Sequence, residues 1–209
     1  MKNINCIIFD LGQVILNISY KNTVNSFKKL GIHNADNFYS KNHQIKIFDL
    51  LEIGAINEEE FVQEVQKICS ASYIQIIEAW NSMILDLPEK RVSLIKKLKD
   101  DYKIFLLSNT NVIHINKIKR DLGSLKYADF YSLFNKVYYS YKIRTRKPEK
   151  KSFNIILDDN NLSPDEVLFI DDSEQHIRTA LELGIHSYHL KETEDIIHLF
   201  SDKSLLKLH

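Results

Sequence analysis

The stretch Cys6-Ile7-Ile8-Phe9-Asp10-Leu11-Gly12-Gln13 runs four apolar residues into an aspartate. Four consecutive apolar residues have the length of a strand buried on both faces, as in a parallel sheet covered by helices. An acid at the carboxyl end of such a strand lies where open parallel sheets bind their ligands. The same pattern returns at wide intervals in Ile104-Phe105-Leu106-Leu107, Val137-Tyr138-Tyr139, Val167-Leu168-Phe169-Ile170 and, more weakly, Ile185-His186-Ser187-Tyr188. Helical patterns lie between them. Glu89 to Lys99 puts Val92, Leu94, Ile95 and Leu98 on one side behind Pro88. Pro148 to Leu157 turns Phe153, Ile156 and Leu157 inward, and Ser173 to Leu183 starts at an N-cap serine and stops at Gly184. Strands alternating with helices predict an α/β fold with a Rossmann-like parallel sheet as its core.

Between Asp10 and Pro88 no strand pattern appears. Residues 20–82 read instead as helices over Asn22 to Leu30, Lys41 to Glu52, Asn57 to Ser70 and Tyr73 to Met83. Asn57 followed by Glu60 has the spacing of a capping box. The expected organisation is a core built from residues 1–17 and 86–209, with an α-helical cap, residues 18–85, inserted after the first strand. In the tail from Glu192 to His209, Ile196, Ile197, Leu199 and Phe200, followed by Leu205, Leu206 and Leu208, predict a helix packed on the core edge.

Charge and composition exclude several classes. The 28 lysines and arginines balance 28 aspartates and glutamates, so no global field recruits nucleic acid or an anionic membrane. No run approaches the roughly 18 apolar residues of a bilayer span, and the short N-terminal apolar stretch ends in an acid. The expectation is a cytoplasmic protein with neither nucleic-acid nor membrane partners; its oligomeric state is not legible. Cys6 and Cys69 offer no disulfide framework and no metal-ligand spacing, and Cys6, inside an apolar run, reads as a buried, inert thiol.

Reading only the strand ends and one loop gives Asp10-Leu11-Gly12-Gln13, Ser108-Asn109-Thr110, Ser140-Tyr141, Asp171-Asp172-Ser173 and Arg146-Lys147-Pro148. Each alone has a plain structural reading, as a helix cap, a turn or a solvated charge run. Together they bring three carboxylates, a hydroxyl and a lysine to one sheet edge. Like charges gathered there are costly unless a cation sits among them, and a few hard oxygen ligands are the Mg²⁺ pattern.

On these residues the chain resembles the haloacid dehalogenase superfamily, in its phosphatase branch with a helical cap after the first strand. The motifs Ile7-Ile8-Phe9-Asp10-Leu11-Gly12-Gln13-Val14, Leu106-Leu107-Ser108-Asn109-Thr110, Arg146-Lys147-Pro148 and Phe169-Ile170-Asp171-Asp172 occur in the family's order. The resemblance implies that Asp10 is the nucleophile, forming an aspartyl-phosphate that water hydrolyses. It implies Mg²⁺ held by Asp10, the Gly12 backbone carbonyl and Asp172, with Asp171 in support. Ser108 and the Asn109 backbone N–H would hold the phosphoryl group, and Lys147 would balance its charge.

One position departs from the family. Most of its phosphatases carry a second aspartate two residues after the nucleophile, which protonates the leaving group; here that residue is Gly12. A positioned general acid contributes about 10²–10⁴ in rate. Sugar 1-phosphates, acyl phosphates and aryl phosphates are therefore expected to be favoured over simple alkyl phosphates. Asn17 and His43 are candidates for the missing proton transfer. His176, four residues after Asp172 where the family often carries a group supporting the metal site, reads first as a helix-surface residue and second as such a support; His186 and His189 read as structural residues flanking an edge strand. The expected function is a Mg²⁺-dependent phosphatase of a small phosphorylated metabolite. The alternative is a weak or inactive relative that binds a phosphorylated ligand or a protein partner.

Overall fold

The computed structural model of the chain describes residues 4–39 and 44–201. Its centre is a five-stranded sheet of β1 (Cys6–Phe9), β2 (Lys103–Ser108), β3 (Lys136–Tyr139), β4 (Val167–Asp171) and β5 (His186–His189), in the order β3-β2-β1-β4-β5. Every pairing is parallel, so all carboxyl ends lie at one edge. Phe9 is level with both Leu106 and Ile170, and the Asp10 N–H donates to the Ile170 carbonyl at 2.9 Å. That register brings Asp10 beside the end of β4.

Strand alternation divides the sheet's side chains between two layers. Ile7, Phe9, Ile104, Leu106, Leu168 and Ile170 pack on one face, and Cys6, Ile8, Phe105, Leu107, Val167 and Phe169 on the other. Beyond residue 88 the helices are α6 (Glu89–Leu98), α7 (Val112–Leu122), α8 (Ser124–Tyr131), α9 (Ser140–Ile143), α10 (Lys150–Asn160), α11 (Glu174–Glu182) and α12 (Ile196–Ser201). Helices α6, α7, α8 and α12 cover the first face through Ile95, Ile118, Phe130 and Leu199, while α10 and α11 cover the second through Phe153, Ile156, Ile177 and Ala180. Cys6 is fully buried and its thiol pKa is pushed up to about 12 by burial, the chemistry of an inert thiol.

Between β1 and α6 lie α1 (Tyr20–Lys29), α2 (Ala35–Phe38), α3 (Lys46–Glu52), α4 (Glu58–Gln66) and α5 (Tyr73–Asn81), around a separate cluster that includes Phe27, Phe38, Tyr39, Phe48, Phe61 and Trp80. Phe48 meets all five other rings at centroid distances between 4.7 and 6.2 Å. The Asn57–Glu60 capping box forms with both halves, and Ser72 with Gln75 builds a second one at α5. The two chain crossings are laced together: Asn17 N–H donates to Asp86 O, Leu85 N–H to Asn17 O and Ser19 N–H to Met83 O, at 2.9, 3.0 and 2.9 Å.

Several boundaries differ from the sequence expectation. The helix expected from Lys41 starts at Lys46 in the described residues, and α2 is a single turn with too few residues to show a period. The helix that Ser108-Asn109-Thr110 would cap is present as α7, but its N-cap is Asn111, which accepts from the His114 N–H; α8 follows directly after Gly123. Helix α10 starts at Lys150, after a turn in which Glu149 N–H donates to Arg146 O. His186 and His189 lie within β5 rather than beside it. The expected tail helix is present as α12, held by the Arg91–Asp195 ion pair at 2.9 Å and by Phe200 against Phe9; Leu205, Leu206 and Leu208 lie outside the described residues. No described helix is long and apolar enough to cross a membrane.

The helical segment touches the sheet layer through an aromatic contact. Trp80 stacks on His114 at 4.4 Å, and its indole N–H approaches Asn111 Oδ1 at 3.4 Å. His114 Nε2 lies 3.1 Å from Trp80 O, and Nδ1 lies 3.3 Å from Asn111 Nδ2. A neutral ring that donates from Nε2 and accepts at Nδ1 satisfies both partners; a protonated ring would set two donors against each other.

Two predictions follow from the packing. Phe48→Ala empties the centre of the aromatic cluster and is expected to cost about 3–5 kcal/mol in urea unfolding; a loss below about 1 kcal/mol would mean the helical segment has no core of its own. Burial holds the His114 pKa near 4, against 6.5 for an exposed ring. The unfolded chain therefore takes up this proton below pH 6.5 and the folded chain only near pH 4. The contribution is complete above pH 6.5 and lost on acidification, by about 2–3 kcal/mol at pH 4.5. Comparing wild type with His114→Gln at pH 7 and 4.5 measures it, and equal acid sensitivity of the two would refute the assignment.

Candidate active site

Parallel strands deliver Asp10, Ser108 and Asp171 to one edge, and the loop before α10 brings Lys147 over them. Lys147 is only 1% exposed, and its Nζ donates to Asp10 Oδ1 at 2.7 Å and to Asp171 Oδ2 at 2.6 Å. Burial opposes the ammonium, but the two carboxylates outweigh it and raise its pKa. Asp171 is wholly buried. Its desolvation is overcome by Lys147 and His176, which hold its carboxyl far below the usual range. Asp10 goes the other way: burial, with help from Asp171 and Asp172, raises its pKa to about 7 against the pull of Lys147.

The loops that carry these groups are clamped to each other. The Asn109 side chain donates to Lys147 O at 2.8 Å and accepts from Lys147 N–H at 2.9 Å. Ser140 Oγ accepts from Thr110 N–H at 2.9 Å and donates to Thr110 O at 3.0 Å. Asn109 thus holds the backbone of Lys147 through its side chain, a role its position in the motif did not disclose. Ser140, at the end of β3, is a structural clamp.

One cavity is lined by Asp10, Gly12, Ser108, Asn109, Lys147 and Asp172. All six expected site residues that should meet a ligand are therefore brought together, with Asp171 directly behind them. Carboxylate oxygens of Asp10, Asp171 and Asp172 lie within 4.8 Å of one another. Hard oxygen donors in that number and spacing fit a divalent cation such as Mg²⁺. Asp171 already accepts from Lys147, the Ser173 N–H and His176, so Asp10 and Asp172 are the carboxylates better placed as ligands.

Two histidine and amide expectations are corrected. For His176 the helix-surface reading gives way to the supporting one: its Nδ1 lies 3.0 and 3.1 Å from the two oxygens of Asp171, and it lines the cavity. Burial lowers its pKa despite the nearby carboxylate, so the neutral ring donates from Nδ1. One turn of helix carries it back over the strand end, a geometry that its offset from Asp171 alone did not single out. Asn17 has both ends of its amide committed, to Asp86 and Arg91, and does not line this cavity. His43 lies outside the described residues.

At Gly12 the structure explains the space left by the missing side chain. A Cβ added there would meet Ile18 Cδ1 at 2.9 Å. The space beside residue 12 is bordered by the terminal methyl of an apolar side chain from the first chain crossing. Gln13, next in sequence, adopts φ 60° and turns its amide away to donate to Ile18 O at 3.0 Å. One wall is polar and comes from the helical segment: Tyr20, Tyr39, Gln44 and Glu52, with Arg146 of the core beside them.

A family model of haloacid dehalogenase-like (HAD-like) hydrolases matches residues 7–189. A D-ribitol-5-phosphate phosphatase of Bacteroides thetaiotaomicron is 30% identical over 184 residues, covering 87% of this chain and 89% of its own. Among solved structures, a HAD family enzyme from that organism in complex with magnesium and inorganic phosphate matches with a TM-score of 0.83 and 35% identity, over 95% of this chain and all of that one. A HAD-like family hydrolase from Porphyromonas gingivalis matches over the full length of both chains, with a TM-score of 0.84 and 28% identity. The match begins in the first strand and ends in the last, and it takes in every motif residue gathered at the cavity: the chain belongs to the haloacid dehalogenase-like hydrolases.

Proposed function

We propose that this protein is a Mg²⁺-dependent phosphatase of small sugar or polyol phosphates that works through an aspartyl-phosphate on Asp10. The observation that carries the reading is the buried Asp10–Lys147–Asp171 array, whose Asp10 and Lys147 line one cavity with Asp172, Ser108 and Asn109. The relative named for D-ribitol 5-phosphate and the magnesium- and phosphate-bound HAD enzyme support it. Balanced net charge supports a metabolite rather than a nucleic acid as partner; the expected compartment is the cytoplasm.

In this reading a carboxylate oxygen of Asp10 attacks phosphorus as the bond to the leaving oxygen breaks, and water then cleaves the acyl phosphate to restore Asp10 and release phosphate. Asp10, Asp172 and the Gly12 carbonyl would hold Mg²⁺, which would supply neutralisation of the negative charge that the nucleophile and the phosphate bring together. Ser108 and the Asn109 N–H hold the phosphoryl oxygens, and Lys147 stabilises the charge that develops on them. Asp171 and His176 position Lys147 and the strand end. Residues 18–85 act as a cap that covers the site and meets the leaving group.

With Gly12 at this position, the chain offers no side chain there to protonate the departing oxygen. Glucose 1-phosphate and aryl phosphates should therefore turn over faster than glucose 6-phosphate, by a part of the 10²–10⁴ that a general acid contributes. A rate independent of leaving-group pKa would refute this. The nucleophile has its own test: Asp10→Asn should lower Mg²⁺-dependent phosphate release about a thousandfold or more while leaving the protein folded. A folded wild type that binds phosphate but turns over no member of a phosphomonoester panel would favour a binding protein instead, with Gly12 and Ile18 as the reason.

A further inference from the structure

Glu52, the last residue of α3, is 5% exposed and lines the same cavity as Asp10, Ser108 and Lys147. A buried carboxylate needs partners. Its Oε2 lies 3.0 Å from Arg146 Nε and 3.4 Å from Gln44 Nε2; among the described residues these partners reach Oε2 alone. Arg146 is also paired with Asp49, whose Oδ1 accepts from Gln44 Nε2 at 2.6 Å. One guanidinium therefore serves two acids.

That arrangement is more than a tether requires. The Arg146–Asp49 pair would by itself bind α3 to the loop carrying Lys147. So would the neighbouring contact, in which the Arg144 guanidinium donates to Gly54 O while Gly54 packs so close that a Cβ there would stand 2.5 Å from Tyr141 O. Burying a second carboxylate beside them costs free energy that the tether does not repay. What it adds is an acceptor oxygen on the cavity wall, ion-paired with the residue that precedes Lys147. Carboxylates take strong hydrogen bonds from hydroxyl groups, and guanidinium and amide groups beside them complete a surface suited to several adjacent hydroxyls.

We infer that Glu52, fixed by Arg146 and Gln44, accepts hydrogen bonds from hydroxyl groups of the leaving group and so selects phosphomonoesters of polyols and sugars over plain alkyl phosphates. The inference rests on the phosphatase reading. It explains how an enzyme with no acid at residue 12 still discriminates among alkyl esters, by binding the leaving group instead of protonating it.

The experiment uses three substrates in Mg²⁺: ribitol 5-phosphate, n-butyl phosphate, which is also a primary alkyl ester but lacks hydroxyls, and p-nitrophenyl phosphate, whose leaving group needs no proton. Wild type should show kcat/KM at least about tenfold higher for ribitol 5-phosphate than for butyl phosphate. Glu52→Gln should lower kcat/KM for ribitol 5-phosphate about 10- to 100-fold, mainly through KM, with less than about threefold effect on the other two. A parallel fall on all three substrates would make Glu52 a structural residue and overturn the inference. A fall on both alkyl esters that spares p-nitrophenyl phosphate would make it the proton donor and overturn it equally. Should Glu52→Gln not fold, the wild-type comparison decides alone: equal kcat/KM for the polyol and the butyl ester refutes the inference. Absence of phosphate release from all three by wild type would instead remove the phosphatase reading itself.

Discussion

A single buried ammonium holds the active edge together. Lys147 reaches Asp10 from one strand end and Asp171 from another, 137 and 24 residues away in sequence, at 2.7 and 2.6 Å. Neither carboxylate could be buried at that spacing without it, and the ammonium could not be buried without them. Its backbone is pinned in turn by the Asn109 side chain, so the loops after β2 and β4 and before α10 share one centre. The array leaves more negative than positive charge once Asp172 is counted, an excess that a divalent cation would offset before a phosphate anion enters.

The fold supplies that centre by a division of labour within each strand. Alternate side chains of β1 build two different apolar layers, one under α6, α7, α8 and α12 and the other under α10 and α11. Polar residues begin where the strands end. The helical segment has its own aromatic cluster and touches the rest at few points, among them the Trp80–His114 stack and the Arg146 pairs with Asp49 and Glu52. It can therefore present a polar wall to the cavity without disturbing the packing beneath the motif residues.

The loss of a side chain at residue 12 is matched elsewhere. Ile18 occupies the adjoining space, so the change is part of the local packing and not a vacancy. A proton needed at that point would come from elsewhere than residue 12, and in the reading proposed above discrimination falls to the polar wall of the helical segment. There the buried Glu52 and its partners face the same cavity as Asp10.

Much of this was legible in the sequence because it depends on local order. Four apolar runs ending in Asp10, Ser108, Tyr139 and Asp171 announce buried parallel strands, and period-2 alternation needs no tertiary information to divide them between faces. The capping box at Asn57 is likewise a matter of spacing, and both its bonds are present. What only the tertiary structure decided are the relations between residues far apart in the chain. The sequence does not show that His176 turns back onto Asp171, that Asn109 grips Lys147, or that Ile18 borders the space beside residue 12. Nor does it show that Glu52 lines the same cavity as Asp10, since that depends on how the helical segment is seated. Each of these is a distance between elements, set by packing and not by any pattern along the chain.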